Sequence, residues 1–279
     1  MAYIRTVAVD TIETIKGSVV QHGRHNDRIY LMHFGTVDTP GLIARLEDLA
    51  MERGYGKILA KIPAPAWQPF KSADYCQEAV VPGFFKGSTD GLFIAKYFSA
   101  ARRSPPSPPI SFKPSALRKA HPATMSIQLV MPCRPLDAEE MASLYGRVFK
   151  TYPFPIQEPA YLARMMDAGA RYFCIRLQGK IAAVASVEID REHQNAEMTD
   201  FATLPKWRGR GLAGKLLLQL EQTARELGLK TAYTIARAAS RPMNAVFCNR
   251  GYTYAGLLKK NTQIGGRIES MTVWHKSLG

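Results

Sequence analysis

Two periods alternate along this chain. Apolar runs of strand length fall at residues 14–21, 28–34, 57–62, 75–81 and 92–98, and a helical stripe of Leu42, Ile43, Leu46, Leu49 and Ala50 lies between the second and third. Asp38 or Thr39 is placed to cap that helix, Pro40 sits in its first turn, and Gly54 follows its end. Residues 66–72 fit a short second helix. Residues 1–99 therefore read as a small α/β unit.

The pattern breaks at residues 100–123, where five prolines between Pro105 and Pro114 are mixed with serines and basic residues. That composition predicts an extended, semi-rigid linker. Residues 124–279 then form a second unit. It opens with a strand at 126–131 and a helix whose face is Met141, Leu144, Tyr145, Val148 and Phe149, with Asp137 and Glu140 at capping-box spacing. Pro153 and Pro155 keep 151–156 from being helical. A second helix at 159–167, a hairpin of 172–177 with 181–189, and a strand at 197–203 follow. Leu212, Leu216, Leu217, Leu220, Ala224 and Leu227 make the next helix, stopped by Gly228. A strand at 231–235, a helix at 243–250 and two long strands meeting at Gly265-Gly266 complete the chain. Part of this order, strand, short helix, strand, glycine turn, strand, also occurs in the first unit. That predicts either a diverged, partial copy or a coincidence of α/β order.

Composition changes this picture little. Hydrophobic residues are 46% and charged residues 22% of 279, ordinary for a globular protein. The longest apolar run, near 181–187, is far short of a membrane span, and the first residues lack the apolar core of a signal peptide, so a cytoplasmic enzyme is expected. Cys76, Cys133, Cys174 and Cys248 form no paired motif and read as reduced, buried thiols; the histidines show no ligand spacing, so no metal is expected. The net charge of +14 permits a polyanionic ligand, but no nucleic-acid-reading motif accompanies it. The oligomeric state is left open.

The candidate chemistry centres on Arg208-Gly209-Arg210-Gly211-Leu212-Ala213-Gly214, between a strand and a helix. The first turn of a helix leaves N–H groups unpaired and carries partial positive charge, and glycines let an anion approach the backbone. The spacing is neither GxxxxGK[ST] nor GxGxxG. Arg-x-x-Gly-x-Ala after a strand resembles the pyrophosphate loop of the GNAT superfamily of acyl-CoA N-acyltransferases. The element order of residues 126–276 resembles the complete GNAT topology, which implies an α/β (α+β) fold with a mixed, mostly antiparallel central sheet and acetyl-CoA as cosubstrate. Within the superfamily the chain is most similar to the β-lysine N6-acetyltransferases. The likeness lies in the Tyr152-Pro153-Phe154-Pro155 loop, the stretch from Ala196 to Thr203, Tyr233 to Ala238, Met243-Asn244, and Glu269-Ser270-Met271-Thr272-Val273-Trp274, where Thr272 replaces the family's Asn.

The resemblance implies roles. Glu197 matches the strand glutamate that serves as base in some GNAT enzymes; Asp200 is a competing carboxylate, but strict alternation puts it on the opposite sheet face. Phe201 and Thr203, with Ala202 between them, match positions whose backbone faces the thioester and the pantetheine arm, an N–H there being the oxyanion donor. Asn244 matches an asparagine that often touches CoA. The tyrosine that often protonates the leaving thiolate is replaced by Phe247, leaving Cys248, Tyr252 or water. Glu188, Asp200 and Glu269 are candidate acids for the amine acceptor, Tyr152, Arg237 and Asn261 candidate donors, and Phe154 and Trp274 candidate walls for its stem. The implied reaction is acetyl transfer to the N6 amine of β-lysine, making a compatible solute. Another small amine or a protein lysine is the alternative acceptor, and a non-catalytic acyl-CoA or nucleic-acid-binding module is the alternative class.

Overall fold

The computed structural model describes residues 10–35, 38–104 and 129–279. Most of the expected linker, the start of the strand expected at 126, and Thr36-Val37 lie outside them. The single strand expected over 14–21 is a hairpin, β1 (Thr11–Ile15) and β2 (Ser18–Gly23). Lys16 and Gly17 at its turn have φ of 46° and 78°, the pair of positive values that a tight hairpin twist requires. Then come β3 (Arg28–His33), α1 (Thr39–Arg53), β4 (Lys57–Pro63), α2 (Trp67–Ser72), β5 (Cys76–Phe85) and β6 (Thr89–Tyr97). The first residues of the expected linker form a short helix, α3 (Ala100–Arg103), because Arg102 is buried and donates to Asn26 O and Asp27 Oδ2, each at 3.1 Å.

The second unit comprises β7 (Val130–Pro132), α4 (Ala138–Val148), α5 (Pro159–Asp167), β8 (Arg171–Leu177), β9 (Lys180–Asp190), β10 (Asn195–Thr203), α6 (Leu212–Glu226), β11 (Thr231–Arg237), α7 (Arg241–Asn249), β12 (Thr253–Ile264) and β13 (Arg267–Ser277). Asp137 does not cap α4 as its spacing suggested. Its carboxylate accepts from Arg134 N–H at 2.8 Å and pairs with Arg176, which also holds Glu140.

All thirteen described strands join one sheet, in the order β1-β2-β3-β4-β6-β5-β12-β13-β11-β10-β9-β8-β7. Read from either edge inward, and setting β7 aside, the two halves have the same order. Each contains one parallel rung, β3–β4 in one and β10–β11 in the other, among antiparallel neighbours. The order that recurs in the sequence is thus a recurrence of topology. The helix α1 occupies the place that α6 holds in the second half, but its start is closed. Asp38 accepts from Gly41 N–H at 2.9 Å and pairs with Lys16 at 3.1 Å, so a carboxylate of the chain itself fills the helix N-terminus.

The halves meet where β5 passes β12, with Gly256 opposite Ala79 as the one register pair. One rung is a weak joint. A shared apolar cluster, including Tyr30, Leu59, Phe84 and Phe93 from the first half and Tyr233, Leu258, Met271 and Val273 from the second, does more. At roughly 1.5–3 kcal/mol per fully buried large side chain, this cluster outweighs the rung. A buried ion pair of the first half reaches across the same seam through a hydrogen bond to the second. Lys57 Nζ lies 2.6 Å from Glu78 Oε2 and donates to Lys259 O at 2.8 Å. Glycine is required at 256 because a Cβ there would lie 2.1 Å from Glu78 O. Gly256→Ala is expected to cost about 1–3 kcal/mol by overpacking, a fall in Tm of roughly 2–12 °C for a chain of this size. An unchanged Tm by scanning calorimetry would show that the strands can separate at this point without loss.

Candidate active site

The site begins where β10 and β11 part. They pair in parallel from Asn195–Thr231 to Glu197–Tyr233 and no further, while β11 continues against β13 to Arg237. The cause lies in β10. Its register against β9 shifts between Thr199 and Ala202, and Asp200 adopts φ of 55°. A non-glycine residue in the left-handed region costs about 1–2 kcal/mol and needs compensation. Asp200 is compensated by three donors: Tyr152 Oη at 2.7 Å, Ser186 Oγ at 2.9 Å and Tyr172 Oη at 3.5 Å. The bulge leaves Asp200 and Phe201 without register partners on β9. A cavity of about 2290 Å³ fills the resulting gap, reaching from the start of α6 to the first half of the chain.

At one end of this cavity is the glycine loop. Gly209 and Gly211 have φ of 77° and 72°, and a Cβ on either would meet nothing within 4 Å. Open space therefore lies above both. Gly211 is the N-cap of α6 and provides no side-chain acceptor, so no group of the loop's own occupies the helix start. Arg210 stacks over Trp207 at 4.7 Å, and Arg208 Nε donates to Thr203 O at 3.2 Å, so both cations are held beside the loop. Arg208, Gly209, Arg210, Gly211, Leu212 and Ala213 all line the cavity, as do Phe201 and Thr203. Bare amides, two arginines and an uncapped helix fit a pyrophosphate.

Further in, three carboxylates converge. Glu188 and Glu197 face one another across β9 and β10, and Asp200 joins them on the cavity wall. The expectation that Asp200 and Glu197 lie on opposite faces is corrected here, because the bulge and the left-handed turn at Asp200 interrupt the strict alternation of strand side chains. Burial, reinforced by the other two acids, holds Glu188 well above the ordinary carboxylate range. Burial also lifts Glu197, to about 7, against the opposing pull of the Lys61 ammonium and the Tyr233 hydroxyl. Asp200 is raised by burial and restrained by its hydrogen bonds from Tyr152, Ser186 and Tyr172.

Several predicted residues sit elsewhere or are already committed. Asn244 is fully buried. Its amide donates to Arg237 O at 2.9 Å and Ser240 O at 2.8 Å, and its Oδ1 accepts from Thr272 Oγ1 at 2.6 Å and Trp274 Nε1 at 2.8 Å. An amide has no further capacity, so the expected contact with CoA is corrected to an internal strut. Trp274 is 1% exposed within the core under α6 and does not wall the cavity, which corrects that expectation too. Ala202 packs beneath α4, so its side chain turns away from the cavity, and Gly214 lies outside the cavity lining.

Arg237 and Glu269 do line the cavity, but as a pair, with Arg237 Nη2 at 2.6 Å from Glu269 Oε1. Tyr152 and Phe154 also line it. Their loop is held by the first half, through His25 to Tyr152 O at 3.2 Å and Gln21 Nε2 to Pro153 O at 3.3 Å. Phe247 lines the cavity, whereas Cys248 and Tyr252 do not. None of the four cysteines is in a disulfide, and only Cys174 is buried as expected.

Sequence reasoning missed the residues that the first half contributes: Arg28, Tyr30 and Lys61 all line the cavity. Lys61 Nζ is 3.4 Å from Tyr233 Oη and 5.3 Å from the Phe84 ring centre, and burial lowers its pKa against the attraction of Glu197, Asp190 and Glu188. The available signal was a lysine inside the otherwise apolar run Ile58 to Ile62.

Residues 138–252 match the acetyltransferase (GNAT) family. The chain is 32% identical to a β-lysine N6-acetyltransferase of Methanococcus maripaludis over 273 residues, 96% of this chain and 99% of that protein. It is 37% identical to the β-lysine N6-acetyltransferase of Methanosarcina mazei over 147 residues, 53% of this chain and 54% of that one. Among solved structures, a phosphinothricin acetyltransferase of Sinorhizobium meliloti in complex with acetyl-CoA superimposes with a TM-score of 0.48 at 19% identity, over 55% of this chain and 90% of that chain.

Proposed function

We propose that this chain, which belongs to the GNAT acetyltransferase family and is an N-acetyltransferase, moves the acetyl group of acetyl-CoA to the N6 amine of β-lysine. The observation that carries the reading is the likeness to the M. maripaludis enzyme across nearly all of both proteins, the first half included. The site supports it chemically. An acceptor with two ammonium groups suits a cavity walled by Glu188, Glu197 and Asp200.

Arg208, Arg210 and the amides from Gly209 to Ala213 would hold the pyrophosphate, and the parted edges of β10 and β11 would hold the pantetheine arm. Bound acetyl-CoA supplies an electrophilic thioester carbonyl. The chain does the rest. Glu197 takes a proton from the incoming ammonium, and a pKa of about 7 keeps a substantial fraction ionised at neutral pH yet basic enough to act. Phe201 N–H, freed by the bulge, is the donor aimed at the developing oxyanion. With phenylalanine at 247 and neither Cys248 nor Tyr252 on the cavity, the side chains assigned to the leaving thiolate do not reach it. A thiol with pKa of about 8.5 is an adequate leaving group without a dedicated acid.

The product carries no net charge, which suits a cytoplasmic compatible solute. Moving the amino group from the α to the β carbon displaces a charged donor by about 1.5 Å, and a buried polar partner left unpaired costs about 1–3 kcal/mol. Acetylation of β-lysine should therefore exceed that of α-lysine in kcat/KM by roughly ten- to a hundredfold. Competition between the isomers, followed by CoA release, checks this. Equal use of both would remove the substrate assignment and leave the acetyltransferase.

A further inference from the structure

The cavity has a second polar region, built where the two halves of the chain touch. Arg28 opens β3, is 3% exposed and lines the cavity. Its Nη1 donates to Asn261 O at 2.8 Å and to Thr262 Oγ1 at 3.0 Å, both neutral acceptors, and its Nε is buried without a partner. Among the described residues the guanidinium makes no ion pair, and the attraction it feels from Asp10 is opposed by Arg102. Asn261, 1% exposed, lines the same cavity, and its Oδ1 is also buried without a partner. An unmet cationic donor and an unmet acceptor thus stand side by side, joined by the Arg28–Asn261 hydrogen bond. Tyr30 carries the Arg28 guanidinium over its ring at 5.0 Å and also feels the charges of Glu197 and Glu188. Tyr30 is thus a neighbour shared by Arg28 and the carboxylates.

Burying a guanidinium without a counter-charge is unfavourable, and a carboxylate that accepts from its planar fork relieves the penalty. We propose that Arg28 and Asn261 form the socket for the amino-acid end of the acceptor. The unused donors of Arg28 hold the acceptor's carboxylate, and Asn261 Oδ1 accepts from the ammonium next to it. The N-terminal half is then a specificity element of the acceptor site, because one side of the socket comes from β3 and the other from β12. This rests on the reading that the acceptor is an amino acid with a second, terminal amine. It adds which residues recognise its carboxylate.

The test compares β-lysine with 1,4-diaminopentane, which keeps the spacing of the two amines and lacks the carboxylate. Arg28→Gln should lower kcat/KM for β-lysine by roughly thirtyfold or more, mainly through KM, since it removes charge-assisted hydrogen bonds to the acceptor. It should change kcat/KM for the diamine by less than about threefold. Arg28→Lys, which keeps the charge and loses the fork, should fall between parent and Arg28→Gln for β-lysine alone. Acetyl-CoA binding by calorimetry reports that each variant is folded, and Arg28→Lys decides the matter if Arg28→Gln is not. Equal losses on both substrates, or no loss on β-lysine, would overturn the socket. If the parent prefers α-lysine, the substrate assignment falls, and the same contrast between α-lysine and cadaverine still decides the role of Arg28.

Discussion

Glu197→Gln is expected to lower kcat by roughly a hundredfold or more while leaving the affinity for acetyl-CoA nearly unchanged. The acceptor amine, whose pKa in water is about 10.4, arrives protonated, and the group that deprotonates it must itself be ionised. Burial raises Glu197 to about 7. Below that pH its carboxyl holds a proton and cannot take another. Parental kcat/KM should therefore climb as pH rises through about 7 and flatten above. Glutamine cannot titrate, so this limb should vanish from the variant. The variant's deficit should also shrink at high pH, where more of the amine is free. A pH–rate profile by CoA release reads all three features. Parental turnover in the variant at neutral pH would assign the base to another group.

Gly211→Asp should abolish acetyl-CoA binding, raising Kd by roughly a hundredfold or more through charge placed at the helix start. The position makes the effect specific. Gly211 has φ of 72°, and a Cβ would meet nothing within 4 Å, so the substitution adds charge at the helix start without a clash at Cβ. Aspartate is also a favourable N-cap residue, which offsets part of the backbone strain and should keep α6 formed. The first half already displays the outcome: at the start of α1 the Asp38 carboxylate occupies the amide that an anion would use. Calorimetry with acetyl-CoA measures the loss. Binding equal to the parent would move the cofactor site elsewhere.

Local features of this fold were legible in the sequence, and features made by distant contacts were not. Most of the strands, the helix over Leu212 to Ala224, the glycine loop and the cap at Asp38 follow from periods and turn chemistry within a dozen residues, whereas the turn that splits 14–21 into a hairpin was missed. Asp200 was misplaced because alternation holds only while a strand stays regular, and its bulge is stabilised by Tyr152, Ser186 and Tyr172, up to 48 residues away. Asn244 matched a cofactor-binding position, but Thr272 and Trp274 from β13 take both of its acceptor sites. The part of the cavity made by Arg28, Tyr30 and Lys61 depends on the halves packing together. The Arg28–Asn261 contact joins positions 233 apart, a pairing that no local period encodes.

The position of the acetyl group on the product decides between N6 transfer to β-lysine and every other acceptor. The purified protein would be supplied with β-lysine and carbonyl-labelled acetyl-CoA, and the product examined by carbon–proton correlation NMR. A single amide is expected, whose carbonyl correlates with the methylene protons at C6 and not with the methine at C3. Correlation to the C3 methine, or labelled acetyl-CoA consumed only when another amine is present, would contradict N6 transfer to β-lysine.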